Sequence, residues 1–210
     1  MQNGTPFFDP RQPVGIWHGN LPHMEQTGKV TFVTFRLCDS MPQVIVNQYK
    51  DIKKEFLRTH PQPWTSETYK LYASVYTSPM ERYVDAGYGS CLLKYPEVRK
   101  YLVDAIDYYD NERYLVYAYV IMPNHVHMLV SVAPGYELNA LIASVKRYSA
   151  VGINRHTRRT GRLWLDEPFD TIIRSSDHYR HTVAYIRENP KGLPEGTYQF
   201  GGLEFKPAPH

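Results

Sequence analysis

Cysteine is scarce in this sequence, and its two cysteines, Cys38 and Cys91, lie far apart along the chain. Their separation gives neither a zinc-site spacing nor a redox motif, and a reducing cytoplasm is the expected location. Long apolar runs are also lacking: none approaches the ~20 residues that span a bilayer, so no membrane partner is expected. The opening MQNGTPFFDPRQPVG has neither a basic start nor an apolar core, which argues against secretion.

Acidic residues are absent from residues 138–165, although the whole chain of 210 residues has a net charge of only +3. The cations of this stretch are Lys146, Arg147, Arg155, Arg158, Arg159 and Arg162. Such a run predicts either a surface that follows a phosphate backbone or an ordinary solvated basic face. The 18 tyrosines of the chain add surfaces on which bases can stack.

The order of the elements predicts an α+β fold, with a mainly antiparallel sheet and helices packed on it. Strands are predicted over residues 29–37, 71–77, 113–123 and 124–132, and helices over 44–60, 96–110, 137–161 and 175–192. Glycine and proline in residues 1–28 predict an irregular N-terminal arm. Residues 29–193 are predicted to form one domain, and residues 194–210 a C-terminal tail.

Two histidines lie two residues apart in the apolar segment IMPNHVHMLV (121–130). Because side chains alternate along a strand, His125 and His127 share one face, and Val126 and Met128 face the core on the other. Two imidazoles at this spacing can bind one cation if another ligand comes from elsewhere. The alternative is two ordinary polar side chains on a half-exposed strand. No cysteine pair or H-E-x-x-H motif completes a zinc site, which favours Mg²⁺ or Mn²⁺ with water and substrate phosphate.

A second pair of polar residues lies on the last predicted helix, where Tyr185 and Asn189 are one turn apart and project side by side. The Tyr185 phenol can act as a covalent nucleophile on an electrophile that a metal polarises. The carbonyl oxygen of Asn189 can then serve as the third metal ligand. The alternative is that Tyr185 packs at the edge of the core and Asn189 ends the helix before Pro190.

Three segments in this order resemble the single-tyrosine HUH transposases, and within them the REP-associated tyrosine transposases of the IS200-like family. They are VIMPNHVHMLV (120–130), GRLWLDEPFDTIIR (161–174) and YIRENPKGL (185–193). Weaker similarity extends to LPHMEQTGKVTFVTFRL (21–37) and DAGYGSCLL (85–93). The resemblance covers most of the chain and implies the ferredoxin-like HUH endonuclease fold.

The resemblance implies a role for each of the four residues. His125 and His127 bind a divalent cation, Mg²⁺ or Mn²⁺, and Asn189 completes the metal shell. Tyr185 attacks a DNA phosphodiester, becomes linked to the 5′-phosphate and leaves a free 3′-OH. Related insertion-sequence enzymes commonly have Gln at the position of Asn189, and the shorter Asn fits the REP-associated branch.

The implied activity is metal-dependent cleavage and strand transfer of single-stranded DNA at hairpins such as REP-like elements. A monomer is expected rather than a homodimer, although related dimers exchange the tyrosine helix. The alternative function is a catalytically idle protein of the same fold that binds DNA hairpins and has a regulatory role.

Basic and aromatic residues are expected to hold the DNA. The backbone contacts are assigned to Lys146, Arg147, Arg155, Arg158, Arg159, Arg162 and Arg174. Trp164, Phe169 or Arg174 contact splayed bases, or else the two aromatic rings anchor a loop in the core. The general base for Tyr185 stays open between His181, Lys146 and water.

Overall fold

The structure is a computed structural model that describes residues 6–9, 11, 15–18, 22–61, 65–77, 79, 83, 85–166 and 168–205. Its strands are β1 (Gly15–His18), β2 (Pro22–Glu25), β3 (Val30–Arg36), β4 (Tyr114–Ile121), β5 (His125–Val132), β6 (Phe169–Ile172) and β7 (Gln199–Gly201). Its longer helices are α1 (Gln43–Thr59), α2 (Ser66–Tyr72), α3 (Pro96–Asp107), α4 (Leu138–Thr157) and α5 (Ser176–Glu188).

Five of the strands form one antiparallel sheet in the order β6-β3-β5-β4-β7. The short tight connection between β4 and β5 is that of sequential antiparallel strands. Helices lie against this sheet, so the predicted α+β fold with a mainly antiparallel sheet is confirmed. β5 is the middle strand, and its backbone groups are therefore paired on both sides.

One face of the sheet carries the larger apolar core. Val126, Met128 and Val130 of β5 point into it, and α3 and α4 cover it. The covering helices contribute apolar side chains at helical spacing, which is why these segments fold as amphipathic helices. Those side chains are Val98, Leu102, Ala105 and Ile106 from α3, and Leu138, Leu141, Ile142, Val145 and Ile153 from α4.

The opposite face carries a smaller apolar cluster and the two histidines. Val183 and Ile186 of α5 pack there against residues of β4 and β5, including Val120 and Leu129. Ser175 caps the N-terminus of α5 by accepting a hydrogen bond from the backbone N–H of His178. The cap and the apolar stripe fix the register of α5 across this face of the sheet.

Residues 71–77 are not the predicted strand, because α2 covers the first of them and a π-helical turn runs from Ala73 to Thr77. Tyr72 and Tyr76 are one helical turn apart and stack with ring centroids 5.0 Å apart. Both pack near Phe56 of α1 in a separate aromatic cluster. The strand-forming residue types of this segment are therefore overridden by tertiary packing.

The ends of the domain also differ from the prediction. The N-terminal arm is not wholly irregular, because β1 and β2 pair as a two-stranded antiparallel sheet. The predicted tail contributes β7 to the main sheet, and Phe200 of β7 stacks with Phe205. α4 ends earlier than predicted, because Arg158 adopts a left-handed conformation with φ of 54°. Among the described helices, none has both the length and the apolar character to cross a membrane.

Candidate active site

Three side chains converge at the start of β5. The Nε2 atoms of His125 and His127 lie 3.0 Å apart, and Oδ1 of Asp85 lies 3.2 Å from the first and 3.7 Å from the second. Both histidines are buried, whereas the Asp85 side chain is 30% exposed. Asp85 therefore forms the side of this group that faces solvent. Alternation along β5 placed both imidazoles on the face away from the larger core, as the structure shows.

The orientation of His125 is set by a chain of hydrogen bonds behind it. Asn124 donates through Nδ2 to the carbonyl oxygen of Tyr88, which leaves its Oδ1 atom to accept from Nδ1–H of His125, 2.8 Å away. Neutral His125 thus carries its proton on Nδ1, and the lone pair of Nε2 points into the site. A metal-binding histidine is usually held in this way.

His127 has a similar support from the neighbouring strand. Its Nδ1 atom lies 2.7 Å from Oγ1 of Thr34, which stands directly opposite it in the β3–β5 register. When Thr34 accepts this hydrogen bond, Nε2 of His127 is also a bare acceptor. Two imidazole lone pairs and one carboxylate oxygen then face one another, an arrangement that a cation between them would stabilise.

This donor set fits a divalent cation. Among the described residues, Asp85, His125 and His127 form a group whose ligand atoms all lie within 4.8 Å of one another. Two imidazoles and a carboxylate suit several first-row metals, and an oxygen-rich remainder of the shell suits Mg²⁺ or Mn²⁺. The residue types and their convergence therefore fit a divalent-cation site.

The pKa values of His125 and Asp85 favour their metal-binding protonation states. Burial, reinforced by repulsion from His127, lowers the pKa of His125 to about 4, so its imidazole is neutral at pH 7. For Asp85, burial alone would raise the pKa, but the two adjacent imidazole groups outweigh it and hold the pKa below its usual value. Neutral imidazoles and an ionised carboxylate are the forms that bind cations.

Tyr185 reaches this group from α5. Its hydroxyl lies 3.4 Å from Oδ2 of Asp85 and 3.4 Å from Nε2 of His127. Its ring packs against the rings of Phe32 and His127, with centroids 5.9 and 5.2 Å away. Asp85 therefore faces the histidines with one oxygen and the tyrosine with the other.

Asn189, the C-cap residue of α5, follows Tyr185 by one helical turn. Its Oδ1 atom is buried and has no hydrogen-bond partner among the described residues. A buried carbonyl oxygen of this kind is rare in a folded protein and fits an atom that binds a ligand or an ion. Its backbone N–H, in contrast, continues the helix by bonding to the carbonyl oxygen of Tyr185.

Two charged residues of this face, Asp85 and Arg36, were not predicted from the sequence. Asp85 lies in a loop well before β5 in sequence, and its only signal was its place at the start of the segment DAGYGSCLL. Arg36 lies opposite His125 in the strand register, is buried, and its guanidinium lies 5.1 Å from the ring centre of Phe169. Burial lowers the pKa of Arg36 only to about 10, so it remains a cation beside the histidines.

The predicted DNA-binding residues differ in their exposure and in the groups that they contact. Lys146 points inward and donates to the backbone carbonyl of Asp166, whereas Arg147, Arg155 and Arg158 are exposed. Arg159 lies 3.9 Å from a carboxylate oxygen of Asp39. Two further arginines make local contacts: Arg162 pairs with Asp166, and Arg174 lies near the ring of Phe8.

Trp164 and Phe169 serve the packing of the fold. The indole of Trp164 is buried, donates from Nε1 to Oγ of Ser149 and packs against Phe35. Phe169 is half-buried between Arg36 and Tyr76. Both rings anchor their loop and strand, which is the second of the two alternatives that the sequence left open.

Comparison with known proteins identifies the segment that contains this site. Residues 93–189 match the family described as "Transposase IS200 like", and this segment includes both histidines, Tyr185 and Asn189. The match covers somewhat less than half of the chain. None of the curated proteins matches this chain.

One solved structure that resembles the chain is titled "Structure of the REP associates tyrosine transposase bound to a REP hairpin". The two are 16% identical, with a TM-score of 0.46, and the alignment covers 82% of this chain and 73% of the other.

Proposed function

We propose that this protein is a transposase that cuts and rejoins single-stranded DNA through a covalent bond between Tyr185 and a 5′-phosphate. The observation that carries the proposal is the convergence of Asp85, His125 and His127 on the hydroxyl of Tyr185. A cation site and a nucleophile within hydrogen-bond distance of each other are what metal-assisted phosphoryl transfer requires.

The chemical step places the phosphate between the tyrosine and the ion site. The phenolic oxygen of Tyr185 attacks the phosphorus, the bond from phosphorus to the 3′ oxygen breaks, and that oxygen takes up a proton to become a 3′-OH. The phenolic proton leaves to solvent. Since the phosphotyrosine ester conserves the bond, a 3′-OH can reverse the step and join strands.

The surrounding residues position and neutralise the phosphate. Asp85 orients the tyrosine by accepting its hydrogen bond, and the buried cation of Arg36 lies on the same face to attract the phosphate charge. The bound ion, Mg²⁺ or Mn²⁺, would supply Lewis-acid polarisation of a phosphate oxygen. We assign its binding to His125, His127 and Asp85, with Asn189 as a further oxygen ligand.

We also propose a substrate, an oligomeric state and the bounds of the catalytic domain. The DNA is a hairpin with single-stranded flanks, as in REP-like elements, held by Arg147, Arg155, Arg158, Arg159, Arg162 and Arg174. The active chain is a monomer, and its support is that Tyr185 meets His127 of its own chain at 3.4 Å. The catalytic domain spans residues 29–205, since β7 and the turn after it pack on the sheet.

The covalent intermediate tests the proposal. Labelled single-stranded hairpin DNA is incubated with the protein and Mn²⁺ or Mg²⁺, and the products are separated on a denaturing gel. We expect a protein–DNA adduct that disappears with EDTA and in Tyr185→Phe. Tyr179→Phe is the matched control, because Tyr179 lies on the same helix but its hydroxyl donates to Glu204.

Two outcomes would contradict the proposal. An unchanged adduct in Tyr185→Phe would mean that another residue is the nucleophile. Hairpin binding without an adduct under either metal would favour the alternative, a catalytically idle DNA-binding protein with a regulatory role.

A further inference from the structure

A groove of about 630 Å³ runs along the outer side of α3 and α4, on the side of the sheet that the histidines do not occupy. It lies where the two helices pack against each other. From α3 it is lined by Tyr101, Ala105 and Tyr108, which follow one helical stripe. From α4 it is lined by a matching stripe that includes Ser144, Tyr148, Val151 and Arg155.

The lining of this groove is aromatic and basic. Tyr108 and Tyr148 are 68% and 63% exposed, which is a large exposure for aromatic side chains. Arg147 and Arg155 are exposed beside them, and no carboxylate side chain is among the described residues that line the groove. Exposed rings between arginines match the flat bases and the phosphates of a single strand.

The floor of the groove depends on a glycine. A Cβ atom at Gly152 would lie 2.4 Å from Cδ1 of Tyr101, so the Tyr101 ring lies directly against the backbone of α4. Glycine inside a helix costs about 1 kcal/mol relative to alanine, which makes close contact of this kind a reason for its presence. The ring of His156 lies 5.7 Å from Tyr101 and continues the aromatic surface toward the end of α4.

The end of α4 leads from the groove to the catalytic end of the sheet. Cys38 follows β3 and bonds through its backbone N–H to the carbonyl oxygen of Leu163. Arg159 approaches Asp39 in the same place. His125 starts β5 opposite Arg36, the last residue of β3, so the catalytic residues lie at this same end of the sheet. The exposed cation Arg158 therefore lies along the chain between Arg155 in the groove and Arg159 at the catalytic end.

We propose that the α3–α4 groove binds a single-stranded segment of the DNA substrate, with bases stacked on Tyr101, Tyr108 and Tyr148 and phosphates paired with Arg147 and Arg155. This inference rests on the proposed function, because it takes the strand to come from the DNA that Tyr185 cuts. The groove acts in binding alone. It holds the strand at a distance from the reacting phosphate. It also gives a role to the basic residues of α4, which do not lie on the catalytic face.

Binding without cleavage tests the groove separately from the chemistry. The affinity of the full chain for a 5′-labelled 30-nucleotide oligothymidine is measured by fluorescence anisotropy in EDTA, where no cutting is expected. We expect Tyr148→Ser to weaken binding about tenfold, the loss of one stacked base. Tyr136→Ser is the matched control, because Tyr136 is an exposed tyrosine that does not line the groove.

The salt dependence of binding tests the arginines. In the double variant Arg147→Gln, Arg155→Gln, the slope of log affinity against log salt should fall in magnitude by ~1.4, the value for two phosphate contacts to a single strand. Oligonucleotides carrying 5-iodouracil should crosslink on irradiation to peptides that contain Tyr108 or Tyr148. These readouts do not depend on Tyr185, so they stand if the covalent adduct fails to form.

Several results would overturn the inference. Equal affinity of Tyr148→Ser and the unsubstituted chain would do so, provided that the two unfold at the same temperature. Crosslinks confined to peptides of the catalytic face would do so as well. Since the Tyr148 side chain is exposed, its loss is not expected to change folding.

Discussion

The two faces of β5 have different roles, because successive side chains of the strand point to opposite sides of the sheet. On one face Val126 and Met128 pack among the apolar side chains of the core beneath α3 and α4. On the other face His125 and His127 are equally buried but meet polar partners: Thr34, Asn124 and Asp85.

The comparison separates stability from chemistry within one strand. Burial of apolar groups on the first face is favourable without any particular partner. Burial of imidazoles on the second face is favourable only while each ring nitrogen has a partner or a ligand. Substitutions on the two faces should therefore differ in kind, the first changing unfolding free energy and the second changing ion binding and catalysis.

The largest effect is expected from His127→Ala. Removal of one of two imidazoles should lower the rate of DNA cleavage by about 10³-fold or more, because the ion that stabilises the charge of the transition state is lost. Cleavage is measured with a labelled hairpin at saturating Mn²⁺. Unchanged hairpin affinity in EDTA shows that the variant still folds and binds DNA. A rate within tenfold of the unsubstituted protein would contradict the assignment.

Met128→Ala should show the opposite behaviour. The Met128 side chain is fully buried between the sheet and the helices, so its truncation should lower the unfolding free energy by about 2–5 kcal/mol. Urea unfolding measures this loss. The affinity for Mn²⁺ in the folded protein should stay unchanged. A variant that keeps its stability but loses ion binding would remove the distinction between the two faces.

The stability of the metal-free protein should fall as the solution is acidified from pH 6.5 toward pH 4. The pKa of His125 is lowered to about 4 by burial, so the unfolded chain takes up a proton in this range and the folded chain does not. The loss from this residue is about 3 kcal/mol at most. Urea unfolding in EDTA at several pH values measures it, and His125→Asn should remove that part of the slope. The pKa of Asp85 is lowered, so protonation of its carboxylate reduces the stability of the folded protein only below about pH 4.

The smallest effect is expected from the support behind His127. Thr34→Val removes the hydroxyl 2.7 Å from Nδ1 and should weaken Mn²⁺ binding about 10- to 100-fold, as the loss of a supporting hydrogen bond does in other metal sites. Thr31→Val is the matched control, because Thr31 lies on the same strand opposite Val130 of the core face. Isothermal titration with Mn²⁺ measures both. Equal losses in the two variants would indicate a general effect on β3.

Local patterns in the sequence were enough to predict one half of the site. Alternation placed His125 and His127 on one face, and helical spacing placed Tyr185 and Asn189 on one turn. Both patterns are short-range and depend on the backbone alone. The basic stretch was visible too, although the inward turn of Lys146 was not, because that depends on the loop that carries Asp166.

The other half depends on contacts between distant parts of the chain. Asp85 sits in a loop that has no periodicity, and Arg36 and Thr34 enter the site only through the register of β3 with β5. Register follows from the pairing of whole strands, which a single segment does not encode. The same limit explains why β7 was assigned to a tail and residues 71–77 to a strand.

The central claim is that Asp85, His125 and His127 hold one divalent cation beside Tyr185. The most direct measurement is an anomalous difference map from crystals of the protein grown with Mn²⁺. We predict one peak at about 2.2 Å from Nε2 of both histidines and from a carboxylate oxygen of Asp85. A peak at another place would contradict this claim. So would a peak that the two histidines bind but Asp85 does not.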